Sequence, residues 1–191
     1  AYGTSVQNAD TDGDGLTDGE EVYTYHTAPT SSDTDSDGLT DGDELNIYKT
    51  DPTMDDTDGD GVVDGQEINV HDSNPLNADT DDDGLQDGEE VNAYRTSPTT
   101  ADTDADGLAD GEEVMIHNTD PLSADTDSDG LPDGAEVNVH MTNPTSDDSD
   151  SDALPDGWEL LYGLDPLSSS GEDGIEGDPD FDAYNNLEEY Q

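Results

Sequence analysis

The chain has 191 residues, of which 54 are Asp or Glu against two Lys or Arg, for a formal charge of -52, and only 27% are hydrophobic. So little apolar surface excludes an ordinary globular core, and so negative a chain excludes nucleic acid and anionic membrane surfaces as partners while favouring cations. No apolar run is long enough to span a bilayer, and no cysteine is present to staple the fold or report a redox compartment.

The chain opens on Ala1 with no basic-then-apolar leader, which reads as a processed or excised piece. Residues 1–9 read as a tail completing a preceding repeat. From Asp10 a twelve-residue acidic loop begins, and its first Asp recurs at 33, 56, 79, 102, 125 and 148, six steps of 23 residues. A period of this size marks a linear array of small units, each resting on its neighbours. Residues 10–167 are therefore expected to form seven 23-residue-type repeats. A weaker eighth loop occupies 178–191, and the extra residues before it fall in the Ser- and Gly-rich stretch 168–177, the candidate spacer or hinge.

Within a unit the loop runs into a short stretch such as Glu90–Arg95, which stops before Pro98. That leaves room for one helix of about two turns and none entering the next loop, so a full helix–loop–helix hand does not fit. Asp18 and Glu21, at loop positions 9 and 12, have the capping-box spacing expected to start this helix. Lys49 and Arg95 share one offset near the helix end, where a cation suits the dipole. Apolar residues recur in columns: Leu16, Leu39, Val62, Leu85, Leu108, Leu131 and Leu154 in the loops, and Val22, Leu45, Ile68, Val91, Val114, Val137 and Leu160 in the helices. They make a thin stripe. A third column, Tyr25, Tyr48, His71, Tyr94, His117 and His140, reads as packing, because tyrosine is a poor substitute for a histidine ligand.

The second loop carries Asp33, Asp35, Asp37, Gly38, Asp41 and Glu44 at positions 1, 3, 5, 6, 9 and 12, the EF-hand calcium-loop spacing. Alternate carboxylates converge on one ion, the glycine allows the sharp turn, the position 7 carbonyl of Leu39 adds an oxygen, and the glutamate closes the shell bidentately. The same reading assigns Asp10, Asp12, Asp14, Leu16, Asp18 and Glu21 to the first loop and Asp56, Asp58, Asp60, Val62, Asp64 and Glu67 to the third. The fourth takes Asp79, Asp81, Asp83, Leu85, Asp87 and Glu90, and the fifth Asp102, Asp104, Asp106, Leu108, Asp110 and Glu113. Asp125, Asp127, Asp129, Leu131, Asp133 and Glu136 make the sixth, and Asp148, Asp150, Asp152, Leu154, Asp156 and Glu159 the seventh. The eighth is Asp178, Asp180, Asp182, Tyr184, Asn186 and Glu189. Ala153 and Ala183 replace the turn glycine in the last two loops, which are expected to bind more weakly. All-oxygen ligation with a bidentate glutamate favours calcium over magnesium, at eight sites or more. Glycine also recurs at position 10, as Gly19, Gly42, Gly65, Gly88, Gly111, Gly134 and Gly157, which points either to close approach of a neighbouring backbone or to a second ion.

At "DTDGDGLTDGEEV", "DGWELLYGLDP" and "NNLEEY" the chain resembles the thrombospondin type 3 repeat family, especially its cysteine-free bacterial surface and secreted members. The resemblance covers nearly the whole chain. It implies a calcium-stabilised, elongated, solenoid-like tandem-repeat array of mostly irregular loops, with one short helix per 23-residue repeat, more than one ion in some repeats and no compact globular core. It also implies an extracellular or cell-surface protein of a prokaryote, with any surface anchor outside this chain.

The expected function is a calcium-binding structural protein forming a stiff stalk or fibre. The alternative is a calcium buffer, adhesion or docking module of a larger secreted or surface protein. No serine, cysteine or histidine constellation points to an enzyme. The expected partners are copies of the chain head to tail, or a longer polypeptide containing it. Joining Gln191 to Ala1 gives "EEYQAYGTSVQNADTD", which matches "EEVNAYRTSPTTADTD" from Glu89 to Asp104, and Tyr2 would complete the aromatic column.

Overall fold

After each acidic loop the backbone turns helical at position 9. In the computed structural model, which describes residues 3–191, a three-residue α-turn widens at once into a five-residue π-turn in each of the first six repeats. The pairs are Asp18–Glu20 with Glu21–Tyr25, Asp41–Asp43 with Glu44–Tyr48, and Asp64–Gln66 with Glu67–His71. They continue as Asp87–Glu89 with Glu90–Tyr94, Asp110–Glu112 with Glu113–His117, and Asp133–Ala135 with Glu136–His140. The seventh repeat has an ordinary α-helix, Asp156–Tyr162, and the eighth a short one, Asn186–Tyr190. No strand occurs among the described residues. The expected junction at Ala1 and Tyr2 lies outside them.

The helix start differs from the expectation by one residue. The N-cap is position 8, where Thr17 Oγ1 accepts from the Glu20 N–H at 3.3 Å and Glu20 Oε2 accepts from the Thr17 N–H at 3.0 Å. The capping box therefore uses positions 8 and 11, which frees the position 9 and position 12 carboxylates for other work. The helix end matches its expected chemistry at Lys49, whose Nζ donates to the carbonyls of Leu45 at 2.9 Å and Asn46 at 2.8 Å.

The chain divides into two units, one reaching to Thr100 and the other Ala101–Gln191. Inside each unit most of the loop column is buried, as at Leu39, Val62, Leu108 and Leu154, while Leu131 and the helix column around Leu45 and Val137 are half-buried. Prolines such as Pro52 and Pro121, eight residues beyond the position 12 glutamate, are buried too. The most enclosed side chains are charged: Glu21, Glu44, Glu67, Glu90, Glu113, Glu136 and Glu159 are all 0% exposed. A carboxylate is buried at this depth only when a cation or donors satisfy it.

Candidate metal centres

Each loop is shaped by its own aspartates. Asp33 accepts the Ser36 N–H through Oδ1 at 2.7 Å and the Gly38 N–H through Oδ2 at 3.2 Å, while Asp37 Oδ1 accepts the Leu39 N–H at 2.7 Å. These bonds need left-handed backbone at positions 4 and 6, and Ser36 and Gly38 adopt φ of 72° and 104°. Ala153 and Ala183 adopt the same conformation at 78° and 83°, so both late loops make the turn without glycine. The result brings Asp33, Asp35 and Asp37 together, with candidate ligand atoms within 4.8 Å of one another; Asp10, Asp12 and Asp14 form the equivalent group, as do Asp56, Asp58 and Asp60.

A second group spans consecutive repeats. Asp37 and Glu44 meet Asp64 from position 9 of the next loop, and Asp14 and Glu21 meet Asp41 in the same way. Asp60 with Asp87, Asp106 with Asp133, and Asp129 with Asp156 repeat the relationship: burial first, and the neighbour's charge as a further cause, raise one carboxyl of each pair above the ordinary range. The position 5 aspartate belongs to both groups. The position 9 aspartate, expected as a ligand of its own loop, is also held there by position 2. Thr34 donates to Asp41 through its N–H at 2.7 Å and its hydroxyl at 2.6 Å, and the same hydroxyl accepts from the Ala28 N–H of the preceding turn at 2.9 Å.

Several position 10 glycines make the close approach to a neighbouring backbone. Gly65 donates to Asp37 Oδ2 at 2.9 Å, Gly88 to Asp60 Oδ2 at 3.0 Å, and Gly157 to Asp129 Oδ2 at 3.0 Å. A Cβ on any of these glycines would overlap the backbone carbonyl of the same aspartate. Each glycine is thus the point where one repeat's helix start meets the previous loop.

Glu44 lies between the two groups. Its Oε1 accepts from the Thr50 hydroxyl at 3.1 Å, and its Oε2 is buried without a donor. Burial, followed by the charges of Asp35 and Asp37, pushes its carboxyl up to about 8. Ser73, Thr119 and Thr142 hold Glu67, Glu113 and Glu136 at 3.1, 3.0 and 3.0 Å, and burial pushes these glutamates up to about 8 as well. Asp35, Asp58, Asp104 and Asp127 each keep a buried Oδ2 with no donor. Enclosed carboxylate oxygens with no base beside them are the donor set of a hard divalent cation, and calcium fits it. The position 7 residues contribute an N–H to the position 5 aspartate and an apolar side chain to the core.

The last two loops deviate. Leu164 stands where the earlier repeats place a threonine or serine hydroxyl, and both oxygens of Glu159 are buried without donors. The Ile175 N–H, from the 168–177 stretch, serves Asp152 where a position 10 glycine serves the earlier loops. In the eighth loop Asp178, Asp180 and Asp182 repeat the local turn: Asp178 accepts the Asp182 and Ala183 N–H groups, and Asp182 accepts that of Tyr184. Asn186 is 1% exposed and its amide nitrogen donates to the carbonyls of Glu172 at 3.0 Å and Gly174 at 2.9 Å, while Glu189 stays near the three aspartates. The hydroxyl columns at positions 2 and 18 were not picked out from the sequence, although their recurrence as Thr or Ser is visible there.

No helix among the described residues is long and apolar enough to cross a membrane. No curated protein matches the chain. Two solved structures share short segments with it. The B domain of a biofilm associated protein is 42% identical over 24% of this chain and 11% of that one, with a TM-score of 0.23. The BSP domain of a biofilm associated protein is 49% identical over 22% of this chain and 7% of that one, with a TM-score of 0.22. The chain thus spans about a tenth or less of those structures' length. The model of the bacterial TSP3 repeat matches six times, at residues 10–32, 33–54, 56–78, 79–99, 102–124 and 125–146. These matches take in well over half of the residues, each falls on one acidic loop with its helix, and the chain belongs to the bacterial TSP3 repeat family.

Proposed function

We propose that the chain is an extracellular calcium-binding structural module. Calcium ions held by positions 1, 3 and 5 order each loop, and further ions held by positions 5 and 12 together with position 9 of the next loop lock consecutive repeats into a stiff stalk or fibre. The observation that carries this reading is the grouping of Asp37 and Glu44 with Asp64 from the following repeat, around a glutamate oxygen that is buried and unpartnered. An ion at that point is the link between repeats, so stiffness follows from occupancy. The reading extends to head-to-tail continuation of such units within a longer surface polypeptide.

The physical argument is one of charge. Without cations a chain of -52 expands by self-repulsion. At free calcium ten times the dissociation constant, each independent site adds about 1.4 kcal/mol, so eight sites alone reach roughly 11 kcal/mol, comparable to the stability of a whole domain. Small-angle scattering during a calcium titration, followed by chelator, tests it. The expected result is a well-defined rod-like particle that becomes a broad, expanded ensemble when calcium is stripped. A scattering profile indifferent to chelator would overturn the proposal.

A further inference from the structure

The seventh repeat carries a feature that calcium ligation does not use. Position 11 is Glu20, Asp43, Gln66, Glu89, Glu112 and Ala135 in the preceding repeats but Trp158 here, the chain's single tryptophan. Its ring centroid lies 4.6 Å from that of Tyr162, tilted by 37°, and 5.7 Å from that of Tyr190, edge-on at 66°. Beside it opens a pocket of about 510 Å³, bounded by Trp158, Tyr190, Leu161 and Pro155 on its apolar walls and by Asp129 and Asp147 on its polar ones. That volume is in the range of binding sites for small organic groups.

The lining selects its occupant by chemistry. It contains no basic residue, and the chain remains near -20 even with two divalent ions on each of eight loops, so an anion is repelled. The Asp129 carboxylate is engaged by the N–H groups of Leu131 at 2.7 Å and Gly157 at 3.0 Å, whereas Asp147 is exposed. A neutral apolar group would gain from the rings but nothing from Asp147. A cation on an aliphatic stem gains from every wall: the stem packs on Leu161 and Pro155, and the charge meets the aromatic faces and Asp147.

We propose that this pocket captures a lysine or arginine side chain presented by another polypeptide. A free small cation would leave the rim unused, since Leu161, 76% exposed, lines the pocket, and Tyr162, 63% exposed, packs against Trp158, so both offer apolar contact to a main chain passing over it. A second copy of the chain is a poor source: at -52 it is repelled by the same field, and it offers only Arg95 and a Lys49 already committed to the carbonyls of Leu45 and Asn46. The partner is therefore a different, basic polypeptide, drawn in by the acidic field and seated at the aromatic cluster around Trp158.

Trp158 is a built-in reporter. The calcium-saturated full chain is titrated at constant ionic strength with acetyl-Gly-Lys-Gly-amide, with its norleucine analogue and with tetramethylammonium, following tryptophan emission. The lysine peptide is expected to give a saturable change, with the other two probes about five- to tenfold weaker. Asp147→Asn and Tyr190→Leu are expected to weaken the lysine peptide by a similar factor while calcium stoichiometry stays unchanged. Asp147 is exposed, and calcium stoichiometry measured on the same variant separates loss of the site from loss of the fold or of the calcium sites. A norleucine peptide that binds equally well reduces the site to an apolar groove and overturns the proposal. Tetramethylammonium binding as tightly as the peptide overturns the polypeptide source, and no saturable response, or an unchanged response in Asp147→Asn, overturns the site.

Discussion

The amide of Gly65 donates to Asp37 Oδ2 at 2.9 Å, and the bare Cα of the same glycine lies against the carbonyl of that aspartate. One residue thus supplies both a hydrogen bond and the space that lets the repeats touch. Gly65→Ala pushes a methyl group into backbone that cannot rotate away, and should cost about 1 to 3 kcal/mol. Gly19 holds the same loop position but has open space around its Cα. Gly19→Ala should be neutral or stabilising by up to about 1 kcal/mol, through helix propensity alone. Denaturant unfolding in saturating calcium compares them, and indistinguishable midpoints would contradict the close approach as the reason for glycine.

Asp41 separates two models of the metal centre. If it serves the group of Asp14 and Glu21, then Asp41→Asn and Glu21→Gln should be strongly non-additive in calcium affinity, with a coupling of about 1 kcal/mol or more. Its coupling to Glu44→Gln, in its own loop, should be smaller. A double-mutant cycle read by calorimetric titration decides, and the reverse ranking would restore the conventional single-loop site.

Protons and calcium compete for the buried glutamates. In the metal-free fold Glu44, Glu67, Glu90, Glu113 and Glu136 sit at about 8, raised by burial first, against an ordinary 4.5. A carboxyl whose folded value lies above its unfolded value stabilises the fold only while protonated. That contribution is complete below about 4.5 and is lost as pH rises through about 8. The chelated chain should therefore show more folded signal by circular dichroism at pH 5 than at pH 8. Calcium reverses the trend, because binding needs the carboxylate: affinity should rise over the same window, with protons released on binding at pH 7. Calorimetry in two buffers of different ionisation enthalpy measures that release, and a zero count would contradict protonated glutamates.

Ala153 holds left-handed backbone at φ 78° where the earlier loops place glycine. Relieving that conformation with Ala153→Gly should stabilise the loop by about 0.5 to 1 kcal/mol. The calcium midpoint seen by Trp158 emission, four residues beyond Leu154, should fall by about threefold. A rightward shift would mean that the alanine is preferred.

What could be read from residues alone followed from whether their chemistry is local. Asp33, Asp35, Asp37 and Gly38 are tied by bonds within one loop, so their spacing reveals their purpose. Asp41 also groups with Asp14 and Glu21 of the previous repeat, a neighbourhood on which spacing within one loop is silent. Thr34 and Thr50 were visible as recurring hydroxyls, but each acts on a side chain six or seven residues away through a bend that only the fold shows. The recurrence of Gly65 and its counterparts was evident, and the carbonyl that demands it comes from 28 residues earlier. Short-range patterns revealed the parts, whereas the stacking between repeats assigned their roles.

The wide turn Glu44–Tyr48 ends with Lys49 in the left-handed conformation, whereas the α-helix after Glu159 closes one residue sooner, at Gly163. Comparing "DGDELNIYKTDP" with "DGWELLYGLDP" shows the second to be shorter by one residue. Counted back from the Asp-Pro pair, Leu164 holds the place of Thr50, so the hydroxyl that Glu44 receives has no counterpart at Glu159. The carboxylates of the seventh loop keep their sequence positions while the seat loses its hydroxyl. A buried glutamate with no hydroxyl donor leaves that seat more dependent on a bound cation than its neighbours.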